Sequence, residues 1–171
     1  TFKIEHIEPL INHGHIDFGE NKVQEANEKW RQIKNENKNI KLHLIGRLQS
    51  NKVKIAVELF DYIHSLDSKK LADKIAEQQI EQNLKVKLFI EVRSGKEEQK
   101  SGISEDELYN FYNYCIRLNL SIIGLMCIPP LNEDSTKYLI RMKKLNNKIG
   151  LGELSMGRSA DYIEAIENGS T

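Results

Sequence analysis

The sequence predicts an α/β fold of repeated strand–helix units around a parallel sheet, and within that class a (β/α)8 barrel of the TIM type. Three observations lead there. Short β-branched or apolar runs alternate with amphipathic helical stripes at a spacing of roughly 25 to 30 residues, the rhythm of βα units. No G-x-G-x-x-G loop follows any run, which removes the usual argument for an open dinucleotide-binding sheet. The rhythm is also even, with no long insertion to mark a second domain, so residues 1–171 are read as a single domain with a core of its own.

In chain order, Ile4, Ile7 and Ile11 form one face of a helix that Gly14 ends, because glycine accepts the left-handed conformation past a helix terminus. The run "HIDF" is the first strand. Val23, Ala26, Trp30 and Ile33 make the second helical stripe, and "IKLHLIG" and "YIHSL" are the next two strands. Leu71, Ile75, Ala76 and Ile80 form a helix entered through Asp67 or Ser68 as N-cap. After the strand "KVKLFIEV", the segment "SEDE" at Ser104 to Glu107 is a capping box before Leu108, Phe111, Tyr112, Cys115 and Ile116, which follow the i, i+3, i+4, i+7, i+8 spacing. "SIIGLMCI" and "ELSM" close the count at six strands, where a barrel of this type takes eight. The chain opens on "TFK" and stops at "ENGST", so both edges are read as cut, with one strand expected before Thr1 and one around Thr171.

Composition narrows the function classes. Twenty-five Lys plus Arg against twenty-five Asp plus Glu leave a formal charge of zero, so no general electrostatic grip on nucleic acid is expected. No apolar run approaches the roughly 20 residues that span a bilayer, and no signal-peptide pattern opens the chain. Two cysteines, Cys115 and Cys127, cannot build a disulfide framework. A soluble cytoplasmic domain is expected. His13, His15, His43 and His64 lack zinc spacing and are read as satisfied imidazoles, and no G-x-S-x-G elbow is present for a serine nucleophile.

In parallel α/β folds the chemistry gathers where strands end and loops converge. The segments at that rim read "FGEN", "IGRLQSNK", "HSLDS", "EVRSGKEEQKSG", "MCIPP" and "SMGRSAD". Glu20 and Asn21 either point into a shared mouth or cap the following helix. In "SMGRSAD", Gly157 permits close backbone approach and Ser159 sits where an N-cap brings its hydroxyl beside free N–H groups, a phosphate-sized anion site or a plain cap. Gly169, Ser170 and Thr171 offer a second set of donors. Within the charged run "GKEEQK", Lys100 is the member able to meet an aldehyde or a phosphate from the mouth; the run otherwise reads as a solvated loop.

Taken together, "FGENKVQE", "HLIGRLQSNK", "IHSLDS", "EEQKSG", "GLMCIPP" and "LSMGRSAD…AIENGST" resemble, in order and spacing, the pyridoxal phosphate homeostasis protein family over essentially the whole chain. The resemblance implies a barrel like the N-terminal domain of alanine racemase, holding pyridoxal 5′-phosphate (PLP) as a Schiff base to a lysine. It implies a monomeric carrier or regulator of the cofactor, without an established reaction, that serves PLP-dependent apoenzymes. Such proteins lack the β-rich second domain from which the racemases draw an opposing acid or base. By motif, Asn21 is expected near the cofactor, Met156 and Ser159 beside its ring and phosphate, and Ser170 with Thr171 at the start of the phosphate cradle. Arg158 stands where the family usually has methionine, and adds a cation. The family's lysine lies at the end of the first strand in a segment resembling "AVSKT", of which this chain begins at the Thr; Lys3 falls beyond that strand end, so the lysine is expected upstream. The alternative function is a fold-type III PLP enzyme, a racemase or decarboxylase relative acting on amino acids.

Overall fold

A computed structural model describes residues 2–94, 101–130 and 133–171. Six strands, β1 (Asp17–Glu20), β2 (Lys41–Leu44), β3 (Tyr62–Leu66), β4 (Lys87–Glu91), β5 (Ser121–Met126) and β6 (Glu153–Ser155), form one sheet in sequential order, and every neighbouring pair is parallel. Helices α1 (Ile4–Asn12), α2 (Val23–Glu36), α3 (Val53–Leu59), α4 (Lys69–Gln82), α5 (Glu105–Arg117), α6 (Thr136–Ile149) and α7 (Tyr162–Glu167) accompany the strands. The α/β class and the strand–helix rhythm hold. The six strands expected of this chain are present among the described residues, and they form a curled half-barrel with β1 and β6 as its two unjoined edges. The curl is evident from His64 of β3, whose ring nitrogen reaches Ser155 of β6 at 2.7 Å although β4 and β5 lie between them in the sheet.

Strand alternation sorts the two faces. Phe18, Glu20, Leu42 and Leu44 turn outward into the layer shared with the helices, where Phe18 lies 4.8 Å from the ring of Trp30. Trp30, Leu42, Leu44, Ile63, Ile75, Leu88 and Leu125 are fully buried and form the centre of a single apolar core. Asp17, His43, Tyr62, His64, Phe89 and Ser155 meet instead on the concave side.

The stripe of α2 buries Val23, Ala26 and Trp30 as the spacing requires. In α4, Ser68 is the N-cap and its hydroxyl accepts from the Leu71 N–H, but Ile80 at the end of the expected stripe is 81% exposed. Gln78 and Gln79 take the inner face there, because the Gln79 side chain accepts the Val86 N–H at 2.8 Å and so satisfies the turn into β4. Ser104 is the N-cap of α5 without closing a capping box; its hydroxyl donates to the Glu107 carboxylate at 2.6 Å instead of accepting from the backbone. Helices α3 and α6 have no counterpart among the expected stripes. The inner face of α6 carries Asn146, which takes the Leu125 N–H and donates to the Leu151 carbonyl, a polar tie that a search for apolar periodicity passes over.

Candidate functional site

The loops beyond the carboxyl ends of β1, β2, β5 and β6 meet at one rim. The chain leaves β1 through Glu20 and Asn21, and these neighbours separate. Glu20 turns into the helical layer, where its Oε1 accepts from Trp30 Nε1 at 2.7 Å and pairs with Lys29 Nζ at 2.5 Å. The reading that aims this carboxylate into the mouth is corrected: strand alternation places Glu20 on the same face as Phe18. Asn21 stays exposed at the rim, pressed by the loop after β2, where a Cβ on Gly46 would come within 2.1 Å of the Asn21 carbonyl oxygen.

Beyond β6, Gly157 takes φ +94°, a left-handed conformation that swings the chain across the strand ends. The Arg158 N–H then donates to Asp161 Oδ1 at 2.5 Å, and Asp161 is the N-cap residue of α7. The expectation that Ser159 caps this helix is corrected, because the helix starts two residues later than that cap requires; Ser159 lies exposed in the preceding turn. After α7, Ser170 and Thr171 return along β6. The Thr171 N–H donates to the Leu154 carbonyl at 2.9 Å, Thr171 Oγ1 accepts the Leu154 N–H at 3.0 Å, and Ser170 Oγ donates to the Met156 carbonyl at 2.8 Å. Both hydroxyls therefore fasten this segment to β6.

Between these loops lies a pocket of about 310 Å³. Asn21 and Ile45 line one side, Met126, Cys127 and Ile128 a second, and Ser155 to Arg158 with Ser170 and Thr171 the third. Asn21, Met156, Arg158, Ser170 and Thr171 are thus brought together, while Ser159 does not line the pocket and Lys100 lies outside the described residues. The Arg158 side chain pairs with Asp161 at 3.7 Å, and its Nε is buried without a hydrogen-bond partner. Burial, aided by the charge of Asp161, pushes the Cys127 thiol up to about 12, so it stays protonated and serves as wall.

A second cavity of about 260 Å³ adjoins the first through Ile128 and Arg158 and contains Glu91, Arg93 and Ser101. Burial raises the Glu91 carboxyl above its ordinary range, with Asp67 adding to the rise; the 2.6 Å bond from Ser101 and the charge of Arg47 oppose it. Glu91 closes a strand on the segment "EVRSG", which the rim argument marks without singling out the carboxylate. Among the described residues no cluster of His, Cys, Asp or Glu could hold a metal ion, and no helix is long and apolar enough to cross a membrane.

A half-barrel of parallel strands with its pocket at the carboxyl rim is the architecture of the alanine racemase N-terminal class, and the family model described as alanine racemase, N-terminal domain, matches residues 3–170. A pyridoxal phosphate homeostasis protein of Aquifex aeolicus is 38% identical over 181 residues, covering 100% of this chain and 78% of that protein. The chain belongs to the pyridoxal phosphate homeostasis protein family. Among solved structures, PipY of Synechococcus elongatus with PLP bound superposes with a TM-score of 0.91 at 31% identity, over 100% of this chain and 84% of that one. An alanine racemase of Clostridium difficile shares the fold, with a TM-score of 0.70 at 15% identity over 92% of this chain and 42% of its own.

Proposed function

We propose that this chain binds pyridoxal 5′-phosphate in the 310 Å³ pocket and acts as a carrier of the cofactor rather than as an enzyme. The observation that carries this reading is the convergence of Asn21, Met156, Arg158, Ser170 and Thr171 from separate loops onto one pocket, in a chain whose relatives bear the name of PLP homeostasis proteins. The lining fits a flat ring bearing a doubly charged phosphate. Met126, Ile128, Ile45 and Met156 offer an apolar wall for the ring, and the Arg158 guanidinium, with its unpartnered Nε, and the Asn21 amide offer donors. Ser170 and Thr171 hold the floor on which the phosphate rests.

The bound group supplies an aldehyde and an electron-withdrawing ring. Turnover of an amino acid would also need a positioned acid and base on the faces of that ring. Among the described residues the lining holds no carboxylate or imidazole, and the one thiol is kept protonated, which favours binding and release. In this reading the protein is a cytoplasmic monomer, and PLP-dependent apoenzymes are its recipients.

Ultrafiltration of the chain with PLP and, separately, with pyridoxal tests the site: PLP is expected to be retained at least roughly tenfold more tightly, a difference of about 1.4 kcal/mol. Equal retention of the two, or retention of neither, overturns the assignment. Sustained conversion of an added amino acid by the loaded protein overturns the carrier reading in favour of a fold-type III enzyme.

A further inference from the structure

The concave face of the half-barrel carries a chain of side-chain contacts that ends at the pocket. His43 Nε2 lies 3.1 Å from Asp17 Oδ1, His43 Nδ1 lies 3.0 Å from His64 Nε2, and His64 Nδ1 lies 2.7 Å from Ser155 Oγ. The four residues come from β1, β2, β3 and β6. Stacking fixes both rings: His43 lies on Tyr62 with centroids 4.2 Å apart and planes 3° apart, and His64 on Phe89 at 4.2 Å and 19°. On Tyr62 in turn lies Lys87, whose Nζ donates to the tyrosine hydroxyl at 3.3 Å. Asp17 is the solvent end, with 55% of its side chain exposed, and Ser155 is the pocket end.

Burial, with His43 adding to the effect, pushes His64 down to about 3, so its imidazole is neutral at neutral pH. A neutral imidazole has one N–H and one bare nitrogen, so with both rings neutral the chain has two directions; a doubly protonated His43 would instead donate to Asp17 and to His64 and turn the His64–Ser155 bond around, the contrary outcome of the test below. Were the N–H groups to point away from Asp17, the bare Nε2 of His43 would face a carboxylate oxygen, acceptor against acceptor. Pointing toward Asp17, every contact is a hydrogen bond: Ser155 donates to His64 Nδ1, His64 Nε2–H to His43 Nδ1, and His43 Nε2–H to Asp17.

We propose that Asp17 sets the tautomers of both histidines, and that through them it fixes the Ser155 hydroxyl as a hydrogen-bond acceptor toward the pocket. Asp17, His43 and His64 are then positioning residues. Resting on the reading of the pocket as a PLP site, this also orients the ligand. Lone pairs on Ser155 repel phosphate oxygens and accept a protonated nitrogen, so the phosphate belongs at Arg158 and an N–H of the ligand belongs at Ser155.

Imidazole ¹⁵N shifts of the ligand-free chain at neutral pH test the direction. The wild type is expected to show both histidines with Nδ1 bare and Nε2 protonated. An amide both donates and accepts, so Asp17→Asn, at an exposed position, is expected to release the lock and move the two His64 nitrogen shifts toward each other. A protonated His64 Nδ1 in the wild type, or an Asp17→Asn spectrum identical to it, overturns the proposal. Adding ¹⁵N-labelled PLP separates the two readings: no binding by the wild type defeats the pocket assignment while the tautomers still decide the relay. A ligand that binds equally well, with an unchanged ring-nitrogen shift, in Asp17→Asn defeats the orienting role.

Discussion

The indole N–H of Trp30 donates to Glu20 Oε1 across 2.7 Å, inside the layer between β1 and α2. Lys29 Nζ meets the same oxygen at 2.5 Å, with 12% of its side chain exposed against 3% for Glu20. A carboxylate so buried is held by two donors, and removing it strands the indole N–H and leaves the ammonium without its counter-charge, with only the Phe2 carbonyl at 2.8 Å still accepting from it. Glu20→Ala should therefore destabilise the fold by roughly 3–5 kcal/mol. Glu20→Gln combined with Lys29→Met should recover much of that loss, since the two together leave no charge without its counterpart. Urea unfolding measures both, and a loss under about 1 kcal/mol for Glu20→Ala, the range of an exposed pair, would show the brace to be ornamental.

Gly124 of β5 is held against its neighbour strand. A Cβ there would come within 2.2 Å of the Glu153 carbonyl oxygen and 2.8 Å of a Phe89 ring carbon. The Glu153 oxygen is backbone, so β5 and β6 would have to part at the pair that aims Ser155 and Met156 at the pocket. Gly124→Ala is expected to cost about 1–3 kcal/mol or more and to weaken PLP retention with it. Gly150→Ala is a control for glycine loss as such: a Cβ there meets nothing within 4 Å, although its φ of +84° still brings local strain. Equal effects of the two on PLP retention would contradict the role given to strand spacing.

The meeting of the segments that carry Asn21 and Met156 is legible in sequence because a parallel sheet leaves all its strand ends on one side, so naming the segments after strands nearly names the rim; Ser170 and Thr171 follow α7, and the family motif, not that rule, marks them. Glu20 was readable too: it is two residues from Phe18, and a period of two sends both to the helical side. The cap of α7 was less so, since "RSAD" offers Ser159 and Asp161 and only the start of the helix decides between them. The exposure of Ile80 and the burial of Gln79 and Asn146 lie beyond pattern reading. Their positions follow from single backbone groups, the Val86 N–H and the Leu125 N–H, that become neighbours only after folding. The relay from Asp17 to Ser155 depends on the curl of the sheet, which no local spacing encodes.

Arg158 gives the pocket its cation, and its Nε is left without a partner. Replacing it by methionine keeps the length of the side chain and removes the charge and the donors. Arg158→Met is expected to loosen PLP by roughly tenfold, about 1.4 kcal/mol, and to leave pyridoxal binding nearly unchanged, because pyridoxal has no phosphate. The wild-type affinity should also fall more steeply with added salt than that of the variant. Paired titrations at two ionic strengths measure this; parallel losses for PLP and pyridoxal would mean that the arginine shapes the pocket and does not meet the anion.

His64 ties stability to pH. It is 6% exposed, and its value is pushed from 6.5 to about 3, first by burial and then by His43. Unfolding restores the ordinary value, so between about 3 and 6.5 the unfolded chain binds the proton that the folded chain refuses, and stability rises with pH across that window. Acidifying from pH 7 to pH 5 should cost on the order of 2 kcal/mol from this one residue, since each unit below 6.5 is worth about 1.4 kcal/mol. His64→Gln keeps an amide for Ser155 and has nothing to titrate, so its stability should fall less over the same range. The difference between the two curves reports His64 and its coupling to His43, because the other histidines are common to both chains and only His43 touches the substituted site. Chemical denaturation at pH 7, 6 and 5 gives that difference, and parallel curves would mean that His64 accepts a proton without leaving its place between Phe89 and Ser155.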